Sequence, residues 1–422
     1  MKRKRSRAQA QRARQRRRAR RRSAQQPRTL VRALTASALA LPGLAGPARA
    51  DAPPAEPRSD YRYSRYAEDS LPTRKVATGG ETSRYEIDIH QFRFESGISD
   101  RVGVGIDVSH EAMSGATPWY ITPDANGAPV QVMTGATVDE ARTDAMISGD
   151  YYFERGKASL GGGISSENDY LALNGSFGGE RNFNERNTTL SGGLGISIDQ
   201  LEPSDTERYP TRPESEDKQS YSGYVALSQV LGDSTMGQIS LKYQHARGFL
   251  SDPYKLAFVD GVPETDERPD TRNQISALAR LRRHFRSLDG SLHLDYAFYG
   301  DDWELYSHML ELSWHQTFFD RFRLIPSARY YSQSQAEFYA PYYNVARSDG
   351  LRSSDYRLSP FGAYSYRLQA EFPFEFWEFK WHVSAAFERY VSDEDVALES
   401  VNVANPGLVS YNLYTVGITG RF

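Results

Sequence analysis

Apolar residues recur at every second position through most of this sequence, and that period of two constrains the fold more than any other feature. "RVGVGIDVSHEA" places Val102, Val104, Ile106 and Val108 on one face and Gly103, Gly105, Asp107, Ser109 and Glu111 on the other. "GSLHLDYAFYG" sets Leu292, Leu294, Tyr296 and Phe298 opposite Ser291, His293 and Asp295. In "EFWEFKWHVSAAFERY" the apolar set is Trp377, Phe379, Trp381, Val383, Ala385 and Phe387, against Glu378, Lys380, His382 and Ser384. A period of two is a strand with one apolar and one polar face. A soluble sandwich would bury its apolar faces against each other. Repetition of fully polar opposite faces, with Trp and Tyr near strand ends, predicts instead a barrel with lipid outside and water inside.

The N-terminus fits the same reading. Residues 1–28 hold fourteen Lys or Arg and no acid, and "LVRALTASALALPGLAGPARADAPP" follows, with Ala48-Arg49-Ala50 as a small-x-small site. A basic region, an apolar region and such a site predict a signal peptide over 1–50, cleaved after Ala50. Arg21-Arg22 lacks the apolar residues expected after a twin-arginine pair, so the general secretory route is expected. Sixteen of the 51 Lys and Arg lie in residues 1–50, which hold no acid, so the remainder has 35 basic against 54 acidic residues. A net charge of −19 disfavours nucleic-acid binding and favours cations or basic solutes. There is no cysteine, hence no disulfide, thiolate site or lipidated N-terminal cysteine. Beyond the signal no apolar run approaches the ~18 residues of a membrane helix, so insertion must be by strands.

Fifteen strand candidates run from 84–95 to 409–422, including 101–112, 142–154, 302–317, 354–369 and 375–391. Their connections alternate between short ("SGISD", "RGK", "FRSL") and long (113–141, 201–218, 248–271, 336–353, 392–409). Short periplasmic turns and long extracellular loops make the last strand run inward. Closure with both ends in the periplasm then needs one more strand ahead of 84, and "SDYRYSRYAED" at 59–69 supplies it. The expectation is an all-β, transmembrane, antiparallel up-and-down barrel of about sixteen strands, with fourteen or eighteen as alternatives. Its parts are a signal peptide (1–50), an N-terminal segment with the first candidate strand (51–83) and the barrel (84–422).

The chain ends on "NLYTVGITGRF", whose Tyr414, Val416, Ile418 and Phe422 share a face. This is similar to the terminal signal by which the barrel-assembly machinery reads bacterial outer-membrane proteins, with Gly420 departing from it. Three further stretches, "HEAMSGATPWY" at 110–120, the run from Asp139 to Asp199 and "SPFGAYSYRL" at 359–368, resemble the Gram-negative family called domain of unknown function 3570. That resemblance implies an outer-membrane barrel and carries no activity.

A barrel of this size holds an aqueous lumen, so passage of small polar solutes is the expected function. The alternation predicts inward-facing Glu86, Asp88 and His90, then Asp107, Ser109 and Glu111, then Ser148, Asp150 and Glu154. Such a wall would favour cations, unless Arg280, Arg282, Arg357 and Arg367 balance it into a transverse field. "SGATPW", with Ser114, Pro118 and Trp119, reads either as a constriction folded into the lumen or as a turn with an interface tryptophan. "YPTRPESEDKQ" and "VDGVPETDERPDTR" read as solvated acidic loops, open to divalent cations or lipopolysaccharide. The alternative function is a non-conducting barrel serving adhesion, lipopolysaccharide organisation or docking of a partner through these loops. Catalysis is not expected: His382 and Ser384 face inward, whereas the similar pair of outer-membrane phospholipases must face lipid, and Asp301-Asp302 reads as a turn. His308 and His315 fall on opposite faces, and no metal spacing or cofactor motif is present.

Overall fold

The structure, a computed structural model, describes residues 52–134, 138–319 and 321–422. The expected signal peptide and its cleavage after Ala50 lie outside the described residues. Among the described residues twenty strands form, in chain order: β1 (Arg58–Glu68), β2 (Glu86–Ser99), β3 (Val102–Gly115), β4 (Pro118–Pro123), β5 (Pro129–Met133), β6 (Val138–Phe153), β7 (Gly156–Ser166), β8 (Tyr170–Phe183), β9 (Thr188–Leu201) and β10 (Glu216–Gly232). They continue as β11 (Thr235–Gly248), β12 (Leu256–Val259), β13 (Val262–Thr265), β14 (Thr271–Phe285), β15 (Gly290–Asp301), β16 (Tyr306–Phe318), β17 (Phe322–Gln333), β18 (Phe361–Phe376), β19 (Phe379–Asp393) and β20 (Tyr411–Arg421). Sixteen of them pair antiparallel in a closed ring, β1 against β20 completing it, while β4–β5 and β12–β13 are separate hairpins in loops. Closure satisfies every edge, which a strand protein in lipid requires. No helix among the described residues is long and apolar enough to cross a membrane.

The outer face is apolar because register aligns the alternating residues from strand to strand. Leu160, Phe177 and Leu194 stand side by side on β7, β8 and β9 and are 67%, 59% and 68% exposed. No described residue covers them, and lipid is the solvent that such a band requires. The expected strand at 59–69 is β1, so the barrel begins at Arg58 rather than at 84. Connections at one end have two to four residues, such as 154–155, 233–234 and 286–289, and β1 starts and β20 ends there. The long segments 69–85, 116–134, 202–215, 249–270, 334–360 and 394–410 lie at the other, with the short turns 167–169 and 302–305.

Two expected elements shift. The strand expected at 354–369 is β18, beginning at Phe361: Asp355 accepts from the Arg357 N–H and caps a 3-10 turn over Tyr356–Leu358, and Pro360 follows. Trp377, expected on the lipid face of β19, instead forms with Glu378 the two-residue turn from β18, with φ of 51° and 63°. Such a turn needs positive φ at both positions to match strand twist.

Well-packed interior lies near the mouth rather than along the barrel. Trp303, Leu305, Ala336, Phe338, Tyr339 and Leu358 form one buried cluster with the inward-facing Tyr299 against it. Tyr66, Tyr85, Ile87 and Met113 form another. Both join loop residues to the inner face at the long-loop end.

Candidate functional site: a polar lumen under a loop cap

Inner-face residues of the sixteen strands divide into two walls. On β7–β9 they are small: Gly161 pairs with Ser176 and Ser176 with Gly195, while Gly163 pairs with Asn174 and Asn174 with Ser197. Eight places round the ring stand β17–β19, whose inward residues include Arg329, Arg367, Glu371, His382 and Glu388. Long charged side chains thus face a wall with little side chain.

Most of the charges form ion pairs, while Arg367 donates to Gln369. Arg329 meets Glu311 at 2.7 Å and Glu388 at 3.8 Å, and Arg323 meets Glu371 at 3.1 Å. Arg280 reaches Asp295 at 3.6 Å and Arg282 binds the same carboxylate. Asp107 lies 3.6 Å from Arg93, and Asp150 lies 3.3 Å from Lys157 and accepts from Ser159. Glu111, 6% exposed, pairs in register with Arg142. Inward-facing Asp107, Glu111 and Asp150 therefore meet basic neighbours rather than forming a bare acidic strip. Acid and base are thus balanced pair by pair along the wall.

Glu86, Asp88 and His90 do not face the lumen. In register Asp88 pairs with Ala112, His90 with His110 and Phe92 with Val108, so all three share the lipid-side face of Phe92 and Phe94. They sit near the mouth, where that face leaves the hydrocarbon: Arg65 bridges Glu86 at 2.6 Å and Asp88 at 3.2 Å, and Tyr63 donates to Asp88 at 2.6 Å. Ile87 and Ile89, which set the expected phase, turn inward onto the aromatic cluster of Tyr66, Tyr85 and Met113. Glu154 lies in the 154–155 turn. Arg357 is not on the wall either; it belongs to the loops.

The loops close over the mouth. Segment 116–134 is neither a constriction nor a simple turn but a hairpin in the loop layer, while Ser114 stays on β3, paired in register with Glu86. Gly115 turns the chain into it with φ +126°, where a Cβ would lie 2.2 Å from the Arg84 carbonyl oxygen. Ile121 is fully buried. The ring of Tyr120 stacks on Phe258 (6.3 Å, 3°), Lys255 Nζ donates to the Pro118 carbonyl at 2.9 Å, and Tyr342 Oη donates to that of Gly127 at 2.8 Å. Trp119 meets Tyr209 edge-on at 6.4 Å. The hairpin leaves the ring between β3 and β6, yet it packs on a segment that leaves between β11 and β14. It therefore crosses the opening.

An ion network locks segment 249–270 to segment 334–360. Asp355, 1% exposed, accepts from Arg268 at 3.0 Å and from Arg357 at 2.8 Å; Arg268 also holds Asp266 at 2.6 Å, and Arg357 reaches Asp252 at 3.0 Å. Burial alone would raise the Asp355 pKa, but Arg357, Lys255 and Arg268 outweigh it and hold the carboxyl well below its ordinary range. At Asp266 burial wins and the pKa is raised. Lys255 is pushed down by burial. The "VDGVPETDERPDTR" stretch is thus not a solvated loop throughout, because Asp266 and the Arg268 side chain lie inside the cap. On the other side of the mouth Arg84 binds Glu68 at 2.5 Å with both side chains buried, and Asn405 Nδ2 donates to Tyr339 Oη at 2.9 Å.

The other residues weighed for chemistry make local contacts. His382 lies 3.4 Å from Glu371, and no hydrogen bond links it to Ser384. Asp301 accepts from the Trp303 and Leu305 N–H groups and binds Arg272 at 2.5 Å, anchoring its turn. His315 faces inward, stacked on His293 at 3.8 Å, and His308 faces out beside Tyr296.

The family described as "Protein of unknown function (DUF3570)" matches residues 31–409, and the chain belongs to it. No curated protein matches the sequence. Among solved structures the chain is similar to a bacterial polysaccharide outer membrane secretin (8% identity, TM-score 0.46, covering 86% of this chain and 98% of that one). It is also similar to OccK2 (OpdF) of Pseudomonas aeruginosa in complex with glucuronate (11% identity, TM-score 0.41, 89% and 100% covered). A third is the siderophore receptor PirA of Pseudomonas aeruginosa (8% identity, TM-score 0.40, 80% and 56% covered).

Proposed function

We propose that this member of a family of unknown function is an outer-membrane transport barrel for small polar solutes, shut on the extracellular side by its own loops. The observation that carries this reading is the buried Asp266–Arg268–Asp355–Arg357–Asp252 network above a lumen lined with paired charges. A barrel needed only as a scaffold has no use for an ion-lined interior. A freely open channel has no use for loops that interlock across it. Passage therefore requires the cap to move, and the paired charges offer dipolar solutes partners of both signs rather than favouring cations.

The same reading places the short turns and both ends in the periplasm, the signal peptide as the export route, and lipopolysaccharide against the outer rim. Phe422, whose ring lies 5.1 Å from Phe379 and 5.9 Å from Trp381, is then the residue offered to the barrel-assembly machinery, with Tyr414, Val416 and Ile418 behind it. A second reading, a barrel that binds at its surface and does not conduct, draws on the same cap.

Swelling of proteoliposomes in small polar solutes separates the two. Slow swelling with the wild type and fast swelling with Asp355→Ala supports the gated barrel. Fast swelling with both removes the gate. No swelling with either folded protein overturns transport and leaves the surface reading.

A further inference from the structure

Among the loops lies a cavity of about 490 Å³, lined by no residue of the sixteen ring strands or of the ion network. Its lining includes Trp119, Tyr209, Arg212, Tyr254, Glu264 and Arg352. Arg212 lies over the rings of Tyr209 at 4.1 Å and Tyr254 at 4.7 Å, and donates to the Ser204 carbonyl at 2.8 Å. Tyr254 is itself 2% exposed, and its hydroxyl donates to Asp169. The guanidinium is therefore fixed before any ligand arrives, which lowers the ordering cost of binding. Glu264 is held by Arg352 at 3.1 Å, so an acceptor and a donor stand together in the wall. Pro253, Leu256 and Pro263 supply apolar surface beside the indole of Trp119.

We propose that this cavity binds a neutral oligosaccharide. A sugar ring has an apolar C–H face that packs on aromatic and proline surfaces, and an edge of hydroxyls that needs donors and acceptors held in place. The volume falls in the range of about 300–1,000 Å³ that takes a small ligand, roughly two or three sugar rings. A cationic ligand is disfavoured because Arg212 already occupies the cation position over both tyrosines. A polyanion is disfavoured by the surroundings, since segments 202–215 and 249–270 carry ten Asp and Glu against four Lys and Arg.

The test is a titration of the refolded full-length mature protein in a zwitterionic detergent without a sugar headgroup, followed by tryptophan fluorescence and saturation-transfer NMR. Maltotriose and chitotriose are the probes, with trigalacturonate as the acidic comparison. Saturable binding of a neutral trisaccharide is expected, weakened about tenfold or more in Trp119→Ala. Thr211→Trp fills the cavity from an exposed position and gives the same loss without removing any support. Absence of saturation with both neutral sugars on folded protein overturns the proposal, as does unchanged affinity in both variants. Tighter binding of trigalacturonate than of either neutral probe replaces it with an anionic ligand. Binding is read in micelles, so the outcome is independent of conduction.

Discussion

A carboxylate as buried as Asp355 stays ionised only because cations surround it, and this sets both the worth and the pH response of the cap. Asp355→Ala leaves Arg268 and Arg357 buried without their shared partner, at a cost of about 3–5 kcal/mol, read as protease cleavage in 249–270 while the barrel stays heat-modifiable. The native pKa lies below the unfolded value of about 3.9, so the stabilisation is complete above that value and is lost as pH falls below it toward the depressed native one. Protease resistance of the cap should accordingly hold from neutral pH down to about pH 4 and decline only below; loss of resistance between pH 7 and 5 would contradict this. At the lumen, Asp107→Asn in an Asp355→Ala background should shift the reversal potential in a salt gradient, whereas Asp88→Asn should not, because Asp88 faces outward. A shift with Asp88→Asn alone would refute the assignment of faces.

Fifteen membrane strands were legible from their own residues because lipid imposes a period of two on one face, and loop lengths then supplied direction and the sixteenth strand. The rule reverses where the apolar band ends. On β2 the isoleucines turn into a dry aromatic layer and Glu86, Asp88 and His90 turn out toward headgroups, so alternation persists with its meaning inverted. Turn chemistry was the other blind spot. Trp377-Glu378 is an unfavourable pair for two left-handed positions, and its apolar-polar order continues the flanking pattern without a Gly or Asn to mark the turn. Glu378→Gly should therefore stabilise the β18–β19 hairpin by about 1 kcal/mol, measurable as a higher urea midpoint in micelles. An unchanged or lower midpoint would show that the turn is held by other contacts.

At the scale of the whole molecule the barrel and its cap obey different rules. The wall is a chain of neighbours in sequence, whereas the cap is made of contacts between residues up to hundreds of positions apart, such as Arg84 with the Gly407 carbonyl, which no local pattern announces. Its buried charges read as ordinary loop polarity until their partners are known. Closure of the mouth by these loops is the central claim, and a chain without cysteine allows it to be tested directly. Glu267 and Arg352 exchange both backbone hydrogen bonds across the two locked segments, at 2.8 Å each, so their Cα separation suits a disulfide. The measurement is single-channel conductance of the Glu267→Cys/Arg352→Cys protein in a planar bilayer, oxidised and then reduced. Silence when oxidised, with openings restored by reductant, is the predicted result; equal conductance in both states would show that the path does not pass through the cap.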